Sequence, residues 1–241
     1  MNIVIDQGNT SAKIALFEGN HLVTSFQFES LTESILKKII IEHHPKSGIL
    51  SFVKQVDSPI LSLLHSCIPV FFALDATTPI PLRIDYKTPQ TLGMDRIAAA
   101  AGAYAQKKGN NLLVIDIGTA ITFDYVEKNG IYKGGNISPG PDLRFKALHH
   151  YTNKLPLLDE QGDVPELGID TETAIRAGVI NGVVREIDSY IDDYIKKHNV
   201  FTFLTGGYSF YFETRLKNSI FADGNLVLKG LNEILNYQRR K

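Results

Sequence analysis

The 241-residue sequence holds a single cysteine, Cys67. No disulfide can form within the chain, and a reducing compartment is the fitting one. No apolar run reaches the roughly 18 residues that a membrane helix needs, and the N-terminus runs straight into a strand pattern rather than a signal-peptide layout. A cytoplasmic protein with no membrane partner is therefore expected. Excess charge is missing too, since 25 basic residues stand against 26 acidic ones. That leaves no broad basic surface for nucleic acid, but a small anionic substrate needs only a local cluster of donors. Neither Gly-x-x-x-x-Gly-Lys-Ser/Thr nor Gly-x-Gly-x-x-Gly occurs, which excludes the two commonest phosphate-binding loops. The pairs His43–His44 and His149–His150 lack metal spacing and read as surface residues.

What is present is enough to fold. Hydrophobic residues make up 44%, which supports a real core, and the length suits one large domain or two small ones. Asn2 to Ile5, Ile14 to Phe17 and Leu22 to Phe28 read as strands, with a Gly-Asn turn before the third. Helical spacing follows over 32–41, then a strand over 48–53, a helix over 60–66 and an apolar run over 70–74. Pro79, Pro81 and Pro89 bar a regular helix from 77–93. The Ala-rich stretch after Gly93 reads as a helix ending in two lysines.

Near 108–111 the pattern restarts. Strands are predicted over 112–115 and 121–126, and an Asn-Gly hairpin signal precedes a third. A helix follows Pro141, a Pro- and Gly-containing loop spans 156–169, and a long helix runs from about 171 to 197. A strand over 200–204 and two more helical segments end the chain. The expected division is 1–109 and 110–241, two α/β halves that each lead with three antiparallel strands.

Each half also opens on the same turn: "DQGNTSAK" from Asp6 and "DIGTAITFD" from Asp116. Gly8 and Gly118 suit a turn that needs positive φ or close approach to the backbone. Asn9, Thr10 and Thr119 add side-chain donors beside exposed N–H groups, a cradle for phosphate oxygens. Asp6 and Asp116 are either caps of hairpin turns or ligands of the hard-cation type that nucleotide phosphates bring with them. Two such turns, one from each half, could grip one nucleotide across a cleft.

Four stretches in this order, "DQGNTSAK" (6–13), "GMDR" (93–96), "DIGTAITFD" (116–124) and "GGNISPG" (134–140), resemble type III pantothenate kinases. "TGG" (205–207) is similar to the late turn of that family. The resemblance implies two similar ribonuclease H-like domains of the actin-like ATPase kind with a cleft between them. It also implies ATP-dependent phosphorylation of pantothenate to 4'-phosphopantothenate, the first step of coenzyme A biosynthesis. Another actin-like-fold small-molecule kinase or phosphatase, or a non-catalytic accessory factor on this scaffold, are the alternatives.

Residue by residue, the resemblance places nucleotide contacts on Asp6, Gln7, Gly8, Asn9, Thr10, Ser11, Ala12, Lys13 and Thr119. It makes Asp95 the catalytic carboxylate, whose bare alternative is stabilisation of a helix N-terminus. Substrate contacts fall on Tyr86, Gly93, Met94, Asp95, Arg96 and Thr171. Arg96 offers a fork for a carboxylate, or a surface ion pair; Tyr86 is otherwise plain packing. Thr171 could equally cap the long helix, and Thr173 competes for its role. Met94 stands where the family has a small residue. Mg²⁺ is expected with ATP, near Asp6, and a monovalent cation, K⁺ or NH₄⁺, at Asp116. Ala174, Gly178 and Gly182 give the long helix one smooth face, for internal packing or for the homodimer that the family forms.

Overall fold

The computed structural model describes residues 1–8, 11–52 and 58–240. The expectations on Asn9, Thr10 and Val53 lie outside that range. Contacts gather the chain into two compact units: 1–110 with 126–134 and 225–241, and 111–125 with 135–224.

In the first unit, β1 (Asn2–Gln7), β2 (Ala12–Glu18) and β3 (His21–Phe28) form an antiparallel meander. Helix α1 (Glu33–His43) is capped by the Thr32 side chain, which accepts from Ile35 N. It leads to β4 (Ser47–Phe52), α2 (Ser58–Cys67) and β5 (Val70–Ala73). The sheet order is β3-β2-β1-β4-β5. Ile3, Ile5, Ile14 and Leu16 alternate along β1 and β2 and bury against Leu36, Leu64 and Ile68, as period-2 strands facing helices require. A two-residue strand, β6 (Arg83–Ile84), and the 3₁₀ turn Pro89–Thr91 interrupt the Pro-rich stretch before helix α3 (Met94–Gln106).

The second unit repeats the plan. Strand β7 (Asn111–Ile117) is joined by two residues to β8 (Ala120–Val126), and β9 (Ile131–Pro139) follows. After α4 (Pro141–His150) and α5 (Thr171–His198) come β10 (Val200–Thr205), α6 (Ser209–Glu213) and β11 (Phe221–Ala222). Strands β9, β8, β7, β10 and β11 lie side by side in that order, matching the order of the first sheet position for position. In both sheets the strand ending in Asp-x-Gly sits at the centre, with its hairpin partner on one side. A parallel strand, β4 or β10, lies on the other. The duplication read from two short turns is thus a duplication of the whole sheet order.

The units depart from the sequential division at 109/110. Helix α7 (Leu226–Arg239) closes the chain yet belongs to the first unit, packed along α3. The reason is steric. Gly102 on α3 and Gly230 on α7 face each other so closely that a Cβ on Gly230 would run into the Ala98 carbonyl. The buried Asn2 and Asn232 side chains add a 2.8 Å hydrogen bond between β1 and α7. The start of β9 also sits in the first unit, where Arg83 and Ile84 pair with Ile131 and Tyr132.

Candidate active site

In the first unit, β1 carries Asp6 to the end of the sheet. Register sets its neighbours: Lys13 lies opposite on β2 and Ser51 beside it on β4. Ser51, itself buried, hydrogen-bonds the Asp6 carboxylate. The other oxygen, Oδ1, is buried without a partner, as is Gln7 Oε1. Burial is the main cause that pushes the Asp6 carboxyl up to about 6, and the nearby negative charge of Asp95 adds to it. Lys13 and Ser51 pull the other way. Asp6 is therefore a carboxylate held short of donors, the condition under which a cation is welcome.

Asp95 sits in the first turn of α3, after the N-cap Gly93. Its Oδ1 accepts from Arg96 N at 2.9 Å and folds back into the space a Cβ on Gly93 would occupy. Asp95 thus serves the helix N-terminus, and its charge lies near Asp6. Arg96 is 7% exposed and engaged within the chain, so a loose surface ion pair is not its role. Met94 lines a cavity of about 290 Å³ with Pro79, Leu82, Pro89 and Tyr237. Tyr86 packs edge-on against Tyr132, centroids 6.3 Å apart, and covers Gly134. Ser11 O accepts from Gly8 N at 3.0 Å. Gly8 and Gly118 have ordinary φ, so of the two reasons for glycine there, positive φ is not the one that applies.

In the second unit three turns converge. Gly118 N donates to Ala120 O at 3.0 Å. Gly140, ending the "GGNISPG" stretch, donates to Thr119 O at 3.1 Å, and a Cβ there would strike the carbonyls of Gly118 and Thr119. Gly206 has φ +94, and its Cα hydrogens face the Asp116 carboxylate and the Ile117 carbonyl closely enough to exclude any side chain. Positive φ and close approach both demand glycine here. Thr119 is exposed beside them. Sequence reading missed two supports: Ser51, placed by parallel pairing, and Arg144, which bonds Pro139 O, Ser138 Oγ and Glu186. Parallel pairing leaves no local signal; Arg144 stood four residues beyond a recognised stretch.

Thr171 opens α5, but the cap is Asp170. Asp170 and Thr173 form a reciprocal capping box, with Thr173 N donating to Asp170 Oδ1 at 2.8 Å. Thr171 is left exposed and lines a groove of about 680 Å³ with Leu148, Ala174 and Gly178. The expectation that Thr171 could cap the helix is corrected, and Thr173 is committed to the box. Above Gly178 there is open space, so the smooth face of α5 is not filled by internal packing at that point. No group of three or more metal-type side chains occurs among the described residues, and no helix there is long and apolar enough to cross a membrane.

The family model for type III pantothenate kinase matches residues 2–193. A type III pantothenate kinase of Azobacteroides pseudotrichonymphae is 55% identical over 240 residues, covering 100% of this chain and 98% of that one. The Phocaeicola vulgatus protein of the same name is 46% identical, with 98% of each chain covered. Among solved structures, an activator of 2-hydroxyisocaproyl-CoA dehydratase from Clostridium difficile with bound ADPNP aligns at TM-score 0.58. It is 13% identical and covers 98% of this chain and 93% of that one. A ROK family glucokinase of Streptomyces griseus in complex with glucose and AMPPNP aligns at TM-score 0.54 and 13% identity, over 100% and 99% of the chains. Such likeness supports the fold of the two-domain, actin-like ATPases. With a family model spanning most of its length and relatives this similar over nearly all of it, the chain belongs to the type III pantothenate kinase family.

Proposed function

We propose a division of labour among these residues for the reaction of the family, ATP-dependent phosphorylation of pantothenate at the head of coenzyme A biosynthesis. Asp95 accepts a hydrogen bond from the pantothenate hydroxyl and aims it at the γ-phosphorus. With a loose, largely dissociative transition state, orientation outweighs early deprotonation, and a carboxylate fixed at a helix N-terminus suits that task. The proton follows to Asp95 as the new bond forms. Arg96 and Tyr86 orient the substrate, and Thr171 contacts it from α5.

Gln7, Gly8, Ser11, Ala12 and Lys13, with Asn9 and Thr10, are assigned to the nucleotide phosphates, and Thr119 is assigned to the nucleotide as well. Gly93 and Met94 complete the substrate side. Asp6 fits Mg²⁺ delivered with ATP, since its Oδ1 is buried and unpartnered. When bound, that cation neutralises charge on the phosphate oxygens. Asp116 would hold K⁺ or NH₄⁺, its carboxylate being a hard oxygen donor. A cytoplasmic homodimer is part of this reading, supported by the α4–α5 groove and by exposed Leu143, Leu167 and Ile169.

The observation that carries the reading is the Asp95 carboxylate, seated over Gly93 with its charge near the raised, donor-poor Asp6. ADP release should depend on pantothenate rather than on sugars or acetate, and should fall when Na⁺ replaces K⁺. ATP turnover indifferent to pantothenate contradicts the substrate assignment.

A further inference from the structure

Tyr208 directly follows the Gly206–Gly207 turn and ties it to two other turns. Its backbone N–H donates to Ile117 O at 3.1 Å, at the end of β7. Its hydroxyl donates to Asp142 Oδ1 at 2.6 Å and stands 3.4 Å from Glu160 Oε2. Asp142 lies in the first turn of α4, which begins just after Gly140. Gly140 in turn donates to Thr119 O. The hydrogen bonds thus run from Ile117 through Tyr208 and Asp142 to Gly140 and back to Thr119, two residues from the start. The other links in this circuit are backbone; the Tyr208–Asp142 bond is its side-chain link.

We infer that Tyr208 is a positioning residue for the nucleotide: its hydroxyl, bonded to Asp142, holds the Gly206–Gly207 turn and the start of α4 in register with Thr119. Thr119 sits in a two-residue turn that cannot correct its own placement, so a rigid neighbour must fix it. Burial, and then the hydrogen bond and charge of Asp142, push the Tyr208 hydroxyl far above its ordinary range. It keeps its proton and donates at every working pH. A hydroxyl donating to an ionised carboxylate is among the stronger neutral–charged hydrogen bonds, which suits a fixed strut. The inference rests on the nucleotide-binding reading of Thr119.

The test is calorimetric binding of ADP with Mg²⁺ to the full chain, wild type against Tyr208→Phe, Asp142→Ala and the double variant. The expected loss for Tyr208→Phe is roughly tenfold in Kd, the scale of a hydrogen bond to a charged group. The double variant should bind no worse than the weaker single one, because both changes cut the same link. Thermal unfolding of each variant, run in parallel, separates a binding loss from a loss of fold. Unchanged Kd in a folded Tyr208→Phe, or effects that multiply in the double variant, overturns the inference. A wild type that binds ADP but shows no pantothenate-dependent turnover leaves Tyr208 its role and removes the substrate from the functional reading. A wild type that binds no ADP removes both.

Discussion

The carboxylate of Asp95 rests in the volume that a Cβ on Gly93 would fill. Gly93 has φ −59 and ψ 131, which any residue can adopt, so its glycine is there for space and not for backbone freedom. The carboxylate reaches back over it because Arg96 N holds its Oδ1 at 2.9 Å. Its charge lies near enough to Asp6, at the end of β1, to raise that carboxyl.

Gly93→Ala should consequently displace a side chain and not a helix. The expected result is a fall in kcat of about 10-fold or more, as positioned proton acceptors contribute on that scale, with stability changed by less than roughly 1 kcal/mol. Steady-state kinetics beside thermal unfolding checks it. A large loss of stability with normal kcat in the surviving fold contradicts it.

Asp6 ties stability to pH with a definite sign. Its folded carboxyl is raised to about 6 from 3.8. Between roughly pH 4 and pH 6 the folded chain keeps a proton that the unfolded chain has released, so stability falls as pH rises through that window. Asp6→Asn removes the buried charge and should stabilise the nucleotide-free protein at pH 7.5 by about 1–3 kcal/mol. The same change should weaken Mg²⁺-ATP binding. Denaturant unfolding of both proteins across pH 4 to 8 measures it, and a destabilised variant at pH 7.5 goes against it.

Contact between α3 and α7 runs through two glycines. A Cβ on Gly102 would stand 3.0 Å from Gly230 N, and one on Gly230 would enter the Ala98 carbonyl. Gly230→Ala must push the helices apart, at a cost of about 1–3 kcal/mol. Because α3 carries Asp95, kcat should fall as well. Chemical denaturation and kinetics on the one variant report both effects, and a neutral variant would mean that the helices yield without consequence.

Thr171 and Thr173 should separate cleanly. Thr173→Ala breaks the capping box with Asp170 and should lower stability by about 1 kcal/mol, a Tm shift of roughly 2–4 °C, with KM for pantothenate unchanged. Thr171→Ala should leave Tm alone and raise that KM about tenfold. The reverse pattern would reassign the contact to Thr173.

Much of this molecule was legible in its sequence because the signals were local. Alternation placed β1, β2 and β3; Thr32 and Pro141 marked helix starts; the Ala-rich run after Gly93 became α3. Both Asp-x-Gly turns sit at the end of a central strand, as the repeat required. What stayed hidden depends on distant packing. The return of α7 to the first unit is written in a pair of glycines 128 positions apart, which no window of periodicity contains. Ser51 reads as an ordinary strand residue until parallel register sets it beside Asp6. The cap of α5 fell one residue before the threonine that was read for it. The short strands β6 and β11 carry too few residues for any pattern.

In the proposed division of labour, Asp95 acts on the pantothenate hydroxyl and not on the nucleotide. Pantothenate-dependent ADP release by wild type and Asp95→Asn, with ATP binding measured on both, tests it most directly. The expected result is a loss of about 10²-fold or more in kcat with ATP affinity within about threefold of wild type. Asp95→Asn turning over at the wild-type rate, or losing ATP binding along with turnover, would contradict it.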